Sequence, residues 1–160
     1  MPTLLRMEIP SSLPKGSVVY LQNIVTDLTM GLKNGSDVIG FFIKTITKMG
    51  YVPGLITLNP SFVFDSLKER YADRPIHLCF NLNVSGFNVF PSNQKIEETI
   101  EKIKLETKWS LMAMSIFSSG SKNIPISESI KYIKRQNLDY LVFGSSNLGN
   151  IEHNQRLLNE

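Results

Sequence analysis

The sequence is poor in cysteine and histidine. Cys79 is the only cysteine, and His77 and His153 are the only histidines. A single thiol excludes an internal disulfide framework and any CxxC-type zinc site, and it suits a reducing compartment. With so few of these ligands, we predict that the chain has no metal site.

The sequence also lacks a long hydrophobic run. Its most apolar window, residues 38–46, contains Lys44 and is too short to span a bilayer. Residues 1–16 contain no apolar stretch of the length that a signal peptide needs. These absences predict a cytoplasmic protein with no membrane partner.

Dense clusters of one charge are missing too. The chain has 17 basic and 14 acidic residues among 160, a net charge of +3, and its densest basic stretch is residues 131–135. A nucleic-acid surface needs stronger clustering, so we expect no nucleic-acid partner. The apolar content of 42% and the charged content of 19% are typical of a soluble globular domain.

Short β-branched and aromatic runs alternate with helical periodicities along the chain. Strands are predicted at 17–22, 54–59, 75–81, 109–115 and 139–144. Helices are predicted at 36–49, after Pro60, at 93–105, at 127–136 and at the C-terminus, with caps expected at Ser36 or Asp37 and at Ser127. Apolar strands separated by helices indicate parallel strands with right-handed crossovers. The sequence therefore predicts a single α/β domain over 1–160, with an N-terminal extension (1–16) and five β/α units (17–160).

Two architectures fit five such units. One is a partial (β/α)₈ TIM-barrel-like fold, and the other is a five-stranded doubly wound open sheet. In both, ligands bind at the carboxyl ends of the strands. The loops to consult are those after Gln22, Asn59, Asn81, Ser115 and Gly144.

Those loops, taken in order, carry a likeness to a known family. The sequence resembles the later part of the aldo-keto reductases, which are NADP-dependent (β/α)₈ barrels. The family pattern "DLYLLHWPD" is similar to "SVVYLQNIVTD" (17–27), and "L..GKIRYIGVSNF..EQLEE" is similar to "ITKMGYVPGLITLNPSFVFDSLKE" (46–69). The pattern "NQVEYN" is similar to "IHLCFN" (76–81), and "YSPLGRG" is similar to "MAMSIFSSG" (112–120). The fifth pattern, "VIPGSSNPEHLEEN", is similar to "LVFGSSNLGNIEHN" (141–154). The matches are collinear and extend over nearly the whole chain.

The resemblance implies an NADP site. Its last loop would place Ser145 and Ser146 at the adenosine 2′-phosphate and Asn154 at the adenine, where a helix N-terminus favours an anion. Asn59 matches a nicotinamide-amide contact, and His77 takes the place of a family glutamine. The cofactor-binding residues implied in this way are Asn59, His77, Ser115, Gly144, Ser145, Ser146 and Asn154.

The departures from the family concern catalysis. The family's catalytic Asp, Tyr and Lys lie before its fourth strand, where the resemblance begins. Its catalytic His corresponds to Gln22, which can donate a hydrogen bond but cannot transfer a proton. We therefore expect an incomplete aldo-keto reductase-like barrel that is related to carbonyl oxidoreductases but is not catalytic alone. A carbonyl compound would be the substrate if it were active.

Five strands of an eight-stranded barrel leave two open edges. Either the sheet stays open, or a homo-oligomer or a second chain completes the barrel. The alternative function is a non-catalytic binding or assembly module on a partial TIM-barrel scaffold.

Three local patterns have plainer interpretations. Residues 144–154 can be a simple turn with Ser146 or Asn147 as helix cap. His77, Cys79 and Asn81 share one strand face, which suggests a hydrolase site, but a buried thiol is the favoured interpretation. The apolar loop 85–92 is either a lid or, as we favour, a plug packed on the following helix.

Overall fold

The computed structural model describes residues 7–120 and 124–159. Its five strands are β1 (Val18–Leu21), β2 (Val52–Thr57), β3 (His77–Asn81), β4 (Ser110–Met114) and β5 (Tyr140–Leu141). Its six helices are α1 (Asn23–Met30), α2 (Gly35–Lys48), α3 (Pro60–Tyr71), α4 (Asn93–Glu106), α5 (Ile126–Lys134) and α6 (Leu148–Asn159), with a 3₁₀ turn at Ser118–Gly120. No helix within the two described ranges is long and apolar enough to cross a membrane.

The strands form one all-parallel sheet in the order β1-β2-β3-β4-β5. The order never reverses, so there is no switch point and the doubly wound alternative is wrong. Right-handed crossovers that always step in one direction place every crossover helix on the same face. The opposite face, which we call the open face, has no helix layer among residues 7–120 and 124–159.

The core lies between the sheet and the helices. Leu55, Leu78 and Leu111 are side by side on β2, β3 and β4 and are fully buried. Isoleucines at helical spacing cover them from α2 and α4, namely Ile39, Ile43, Ile46, Ile96, Ile100 and Ile103. Burying each such side chain contributes about 1.5–3 kcal/mol.

Helix ends follow local chemistry, with some corrections. Asn59 caps α3 by accepting the Phe62 amide at 3.2 Å. The expected cap at Ser127 is wrong, because α5 begins one residue earlier, at Ile126, after Pro125. The expected cap at Ser36 or Asp37 is also wrong, since α2 starts after Asn34.

Helix α1 was not predicted from the sequence. Its buried residues are Thr26 and Met30, whereas Ile24, Leu28 and, just beyond the helix, Leu32 are 64–69% exposed. The usual pattern of an apolar face against the core is therefore inverted, and the periodicity gave no signal.

The loop 82–92 differs from the favoured plug. Phe87 and Phe90 are 42% and 55% exposed, so these rings do not pack as a plug on α4. The fully buried Asn83 shapes the loop instead, because its side chain accepts the Phe87 amide and donates to the Phe87 carbonyl, both at 2.9 Å. A buried side chain with these bonds fixes a loop without apolar filling.

Candidate ligand-binding cleft

The carboxyl ends of β4 and β5 border a cleft. The chain leaves β4 through Ser115, which has a φ of +58°, and leaves β5 through residues 142–146. Two adjoining cavities of about 750 and 440 Å³ lie between these loops. They share the lining residues Phe117, Gly120, Gly144 and Ser145, and we call them together the β4–β5 cleft.

Five residues predicted to bind the cofactor line this cleft. Ser115 and Ser146 line the larger cavity, Asn154 lines the smaller one, and Gly144 and Ser145 line both. The prediction from the family resemblance therefore selected residues 30 positions apart that lie together. Parallel sheets commonly bind ligands at this end.

The amino end of α6 satisfies most of its own amides. The Asn147 side chain accepts the Gly149 amide at 2.9 Å, and the Asn147 carbonyl accepts the Asn150 and Ile151 amides. The Ser145 hydroxyl accepts the Asn147 amide at 3.1 Å. Asn147 is thus a helix cap, as the turn interpretation predicted, and it leaves few amides for an anion.

Asn154 is the polar side chain of the cleft that lacks a partner. It is 6% exposed, and its side-chain oxygen makes no hydrogen bond within the described residues. Leaving a buried amide unpaired costs about 1–3 kcal/mol. Because the side chain lines the 440 Å³ cavity, a ligand with a hydrogen-bonding edge would offset that cost.

The described lining of the cleft carries no charged side chain. Phe117, Ile124 and Ile126 supply apolar surface, and serines and asparagines supply hydrogen bonds. Such a lining suits a neutral heteroaromatic ring with polar edges. It gives a phosphate no cationic partner from the described residues.

Gln22, Asn59 and His77 do not line this cleft. Gln22 is exposed at the end of β1, and the Asn59 side chain is occupied as the α3 cap. His77 opens β3 and pairs in register with Ser110, five residues before Ser115. At about 3.3 Å per residue, His77 is about 16 Å below the level of Ser115.

His77 belongs to an aromatic cluster on the open face. Its Nδ1 is 3.4 Å from the Tyr20 hydroxyl, and its ring stacks on Tyr140 at 5.2 Å between centroids. Gly54 makes this possible, because a Cβ there would be 2.4 Å from the Tyr20 ring. Burial lowers the pKa of His77 and raises the pKa of Tyr20 to about 12, so both groups are neutral at pH 7.

Tyr20 and Tyr140 were missed as site residues from the sequence. Tyr20 and Tyr140 alternate onto the same face as His77, but that face is recognisable only once the register joins β1, β3 and β4 to β5. A strand pattern indicates which residues share a face of one strand, not which strands are neighbours.

Cys79 matches the buried-thiol interpretation. Its residue is 3% exposed, and burial raises the pKa of the thiol to about 11. The Asn81 amide donates to the Asn88 carbonyl, which occupies it in the loop. A protonated thiol is a poor nucleophile, so this strand face does not support the hydrolase alternative.

Asp27 has a structural role that the sequence did not reveal. Its carboxylate accepts the Thr57 hydroxyl at 2.5 Å and the Leu58 amide at 3.0 Å, so α1 is fastened to the end of β2. Within residues 7–120 and 124–159, no group of three His, Cys, Asp or Glu side chains is arranged to hold a metal ion.

Comparisons with protein-family models, with curated proteins and with solved structures gave no match for this chain. The resemblance to aldo-keto reductases therefore remains a hypothesis, and function has to be argued from the site.

Proposed function

We propose that the chain is an aldo-keto reductase-like partial barrel that binds the adenosine phosphate end of NADP in the β4–β5 cleft. The observation that carries this proposal is the buried Asn154 amide, whose oxygen has no partner among the described residues and which lines a cavity together with Ser145 and Gly144. An adenine edge offers both donors and acceptors to such an amide. The chain itself is expected to be non-catalytic.

The same cleft limits the affinity. The described lining has no cation, and Asn147 already satisfies three amides near the start of α6. The helix dipole contributes only about 0.3–1 kcal/mol to an exposed phosphate. We expect millimolar to high-micromolar binding, about −4 to −6 kcal/mol.

Titration calorimetry with NADPH tests this proposal. Ser145→Asp should abolish binding by repelling the phosphate, and Asn154→Leu should weaken it about tenfold by removing the amide that reads the ring. Ser12→Asp adds the same charge at an exposed position outside the cleft and should bind like wild type. Equal binding by all four proteins, or by none, would show that residues 144–154 form only a turn.

A specific observation favours the second candidate, an assembly module. The open face carries Tyr20, Tyr140, Met112 and Met114 and no charged residue from any of the five strands. Aromatic residues and Met are enriched, and Lys, Glu and Asp are depleted, in the cores of protein interfaces.

We infer that a second copy of this chain occupies the open face, because the commonest soluble oligomers are twofold dimers that use one self-complementary patch. Tyr140, on this face, is 48% exposed and available for such a contact. Two open faces that meet around a twofold axis would bury an uncharged surface on both sides.

Sedimentation velocity on the full chain tests the assembly. Wild type should sediment as a dimer, and Tyr140→Lys, which changes a residue that is 48% exposed on the open face, should be a folded monomer. Leu105→Lys, at an 83% exposed position on α4, should remain dimeric. A monomeric wild type, or a dimer that is lost in Leu28→Lys on α1 and not in Tyr140→Lys, would contradict this assignment.

A further inference from the structure

Another cavity lies on the helix side of the molecule, between α2 and α3. It has a volume of about 390 Å³, and four basic residues line it: Lys44, Lys48, Arg70 and Arg74. No acidic residue is part of its described lining. We call this cavity the basic groove.

The sequence does not show this cluster, because it comes from two helices. Lys44 and Lys48 are one turn apart on α2, while Arg70 and Arg74 lie at the end of α3 and just after it. Side chains four residues apart on a helix lie on the same face. The fold therefore brings together two pairs of cations separated by more than twenty residues.

Gly40 fixes how α2 and α3 approach each other. A Cβ at Gly40 would be 2.2 Å from the Tyr71 hydroxyl, so the glycine admits the buried Tyr71 side chain between the helices. The Tyr71 carbonyl also accepts a hydrogen bond from the Trp109 indole at 2.9 Å, which fastens this end of α3 to the residue just before β4. The Tyr71 wall of the groove is therefore held in place by packing, so the groove is a fixed feature of the fold.

Most of the positive charge in the groove is uncommitted. Arg70 donates to Asp37 at 2.6 Å and to Ser36 at 2.9 Å. Among the described residues, Lys44, Lys48 and Arg74 have no carboxylate within ion-pair distance. Complementing the helix dipole explains a single cation in a last turn, but it does not require two helices to direct four cations at one cavity.

We propose that the basic groove binds a small polyphosphorylated ligand. Lys44, Lys48 and Arg74 supply three cations to a compact anion, and Arg70, held by Asp37, closes one side. A cavity of this size suits a pyrophosphate or triphosphate group, whereas an extended nucleic acid needs a longer basic stripe. This site is separate from the β4–β5 cleft, with which it shares no lining residue.

Calorimetry on the full chain with inorganic tripolyphosphate tests the proposal. Wild type should bind, and Lys44→Gln/Lys48→Gln should weaken binding about tenfold, since an exposed ion pair contributes up to about a factor of five. The matched control Lys131→Gln/Lys134→Gln removes the same charge from α5 and should change the affinity less than twofold. Circular dichroism should show unchanged helix content in both double variants.

Two further experiments test whether the groove recognises linked phosphates, and whether this binding is independent of the β4–β5 cleft. Sodium sulfate at equal ionic strength should compete poorly if the groove recognises linked phosphates and not charge alone. Ser145→Asp should leave tripolyphosphate binding unchanged, so a failure of the NADP proposal would not be confused with a failure here. No binding by wild type, equal weakening in the two double variants, or full competition by sulfate would overturn the proposal.

Discussion

Single side chains connect the elements of this fold, and Asp139 shows how. Its carboxylate accepts Lys104 at 2.5 Å from α4 and the Leu111 amide at 2.7 Å from β4. Its own amide donates to the Leu111 carbonyl at 3.0 Å, which aligns the start of β5 beside β4. Partial burial on its own would raise the pKa of Asp139, but the hydrogen bonds from Lys104 and Leu111 outweigh it, and the pKa is lowered.

The lowered pKa gives a prediction with a definite sign. A carboxylate whose folded pKa is below its unfolded value of about 3.9 stabilises the fold above that pH, and the contribution is lost as the pH falls through the folded pKa. Asp139→Asn should therefore lower the free energy of unfolding at pH 7 by about 1–2 kcal/mol, a modest value because the side chain is 35% exposed.

Urea denaturation at pH 7 and at pH 3 measures this effect. The difference between wild type and Asp139→Asn should shrink at pH 3, because the carboxyl of the unfolded chain is largely protonated there and the folded carboxyl approaches its lowered pKa. Asp73→Asn is the control, because Asp73 is 91% exposed in its pair with Lys108 and should change stability little. An equal loss at both pH values would show that packing, and not charge, makes Asp139 important.

For single residues, the sequence predicted burial and position at strand ends better than it predicted contacts between side chains of different strands. The burial of Cys79 and the grouping of Ser115 with Ser145 were both expected, because each depends on a strand or on strand ends. The contact of Tyr20 with His77 was not, since it crosses β2 and requires Gly54 to be the residue between them. Whether the grouped residues bind a nucleotide stays a prediction.

At the start of helix α3, Asn59 has two possible roles, one structural and one functional. The resemblance assigns Asn59 to a nicotinamide contact, but its side chain caps α3 through the Phe62 amide. Asn59→Ala should lower the free energy of unfolding by about 1 kcal/mol. Asn59→Asp retains an oxygen that can cap the helix and should restore most of this stability.

Thermal or urea unfolding measures how much the cap stabilises the fold. Calorimetry with NADPH on the same proteins measures whether Asn59 contributes to cofactor binding. We expect Asn59→Ala to bind NADPH as wild type does. Loss of binding in Asn59→Ala at unchanged stability would reverse the assignment and make Asn59 a cofactor residue.

The elements also show where prediction from sequence succeeds. Strands β2, β3 and β4 and helices α2 and α4 were located within two residues, because their apolar residues face the core with the regular periods of a strand and a helix. Strand β5 is only Tyr140–Leu141, shorter than the predicted 139–144, because beyond the pair Ala113 with Leu141 the ladder with β4 ends and the chain turns into the cleft loop. Helix α1 was not predicted because its apolar residues face solvent and not the core.

For the whole molecule, the order of the strands decides more than the number of strands. Five parallel strands in sequential order place the loops after β4 and β5 side by side, and this adjacency creates the β4–β5 cleft. The basic groove arises elsewhere, between the crossover helices α2 and α3. One fold thus presents a cleft whose described lining is uncharged and a cationic groove, and ligands of different charge distinguish the two sites.

The chain alone is not expected to reduce carbonyl compounds. On the open face, Tyr20 is the phenol whose hydroxyl lies 3.4 Å from the His77 Nδ1, and burial raises the pKa of Tyr20 to about 12. General acid catalysis is most efficient when the pKa of the acid lies near the working pH. Gln22, which the resemblance would place at a catalytic histidine position, has an amide side chain that does not transfer a proton near pH 7.

We therefore expect no oxidation of NADPH above the protein-free rate with aldehydes or ketones, followed by absorbance at pH 7 with an active carbonyl reductase as the positive control. Circular dichroism of the same sample should establish that the chain is folded, so that a negative result can be interpreted. Turnover that disappears in Tyr20→Phe or Gln22→Ala, but survives in Tyr51→Phe, would contradict the expectation. It would also place a catalytic site on the open face, since Tyr51 donates to the Leu13 carbonyl away from that cluster.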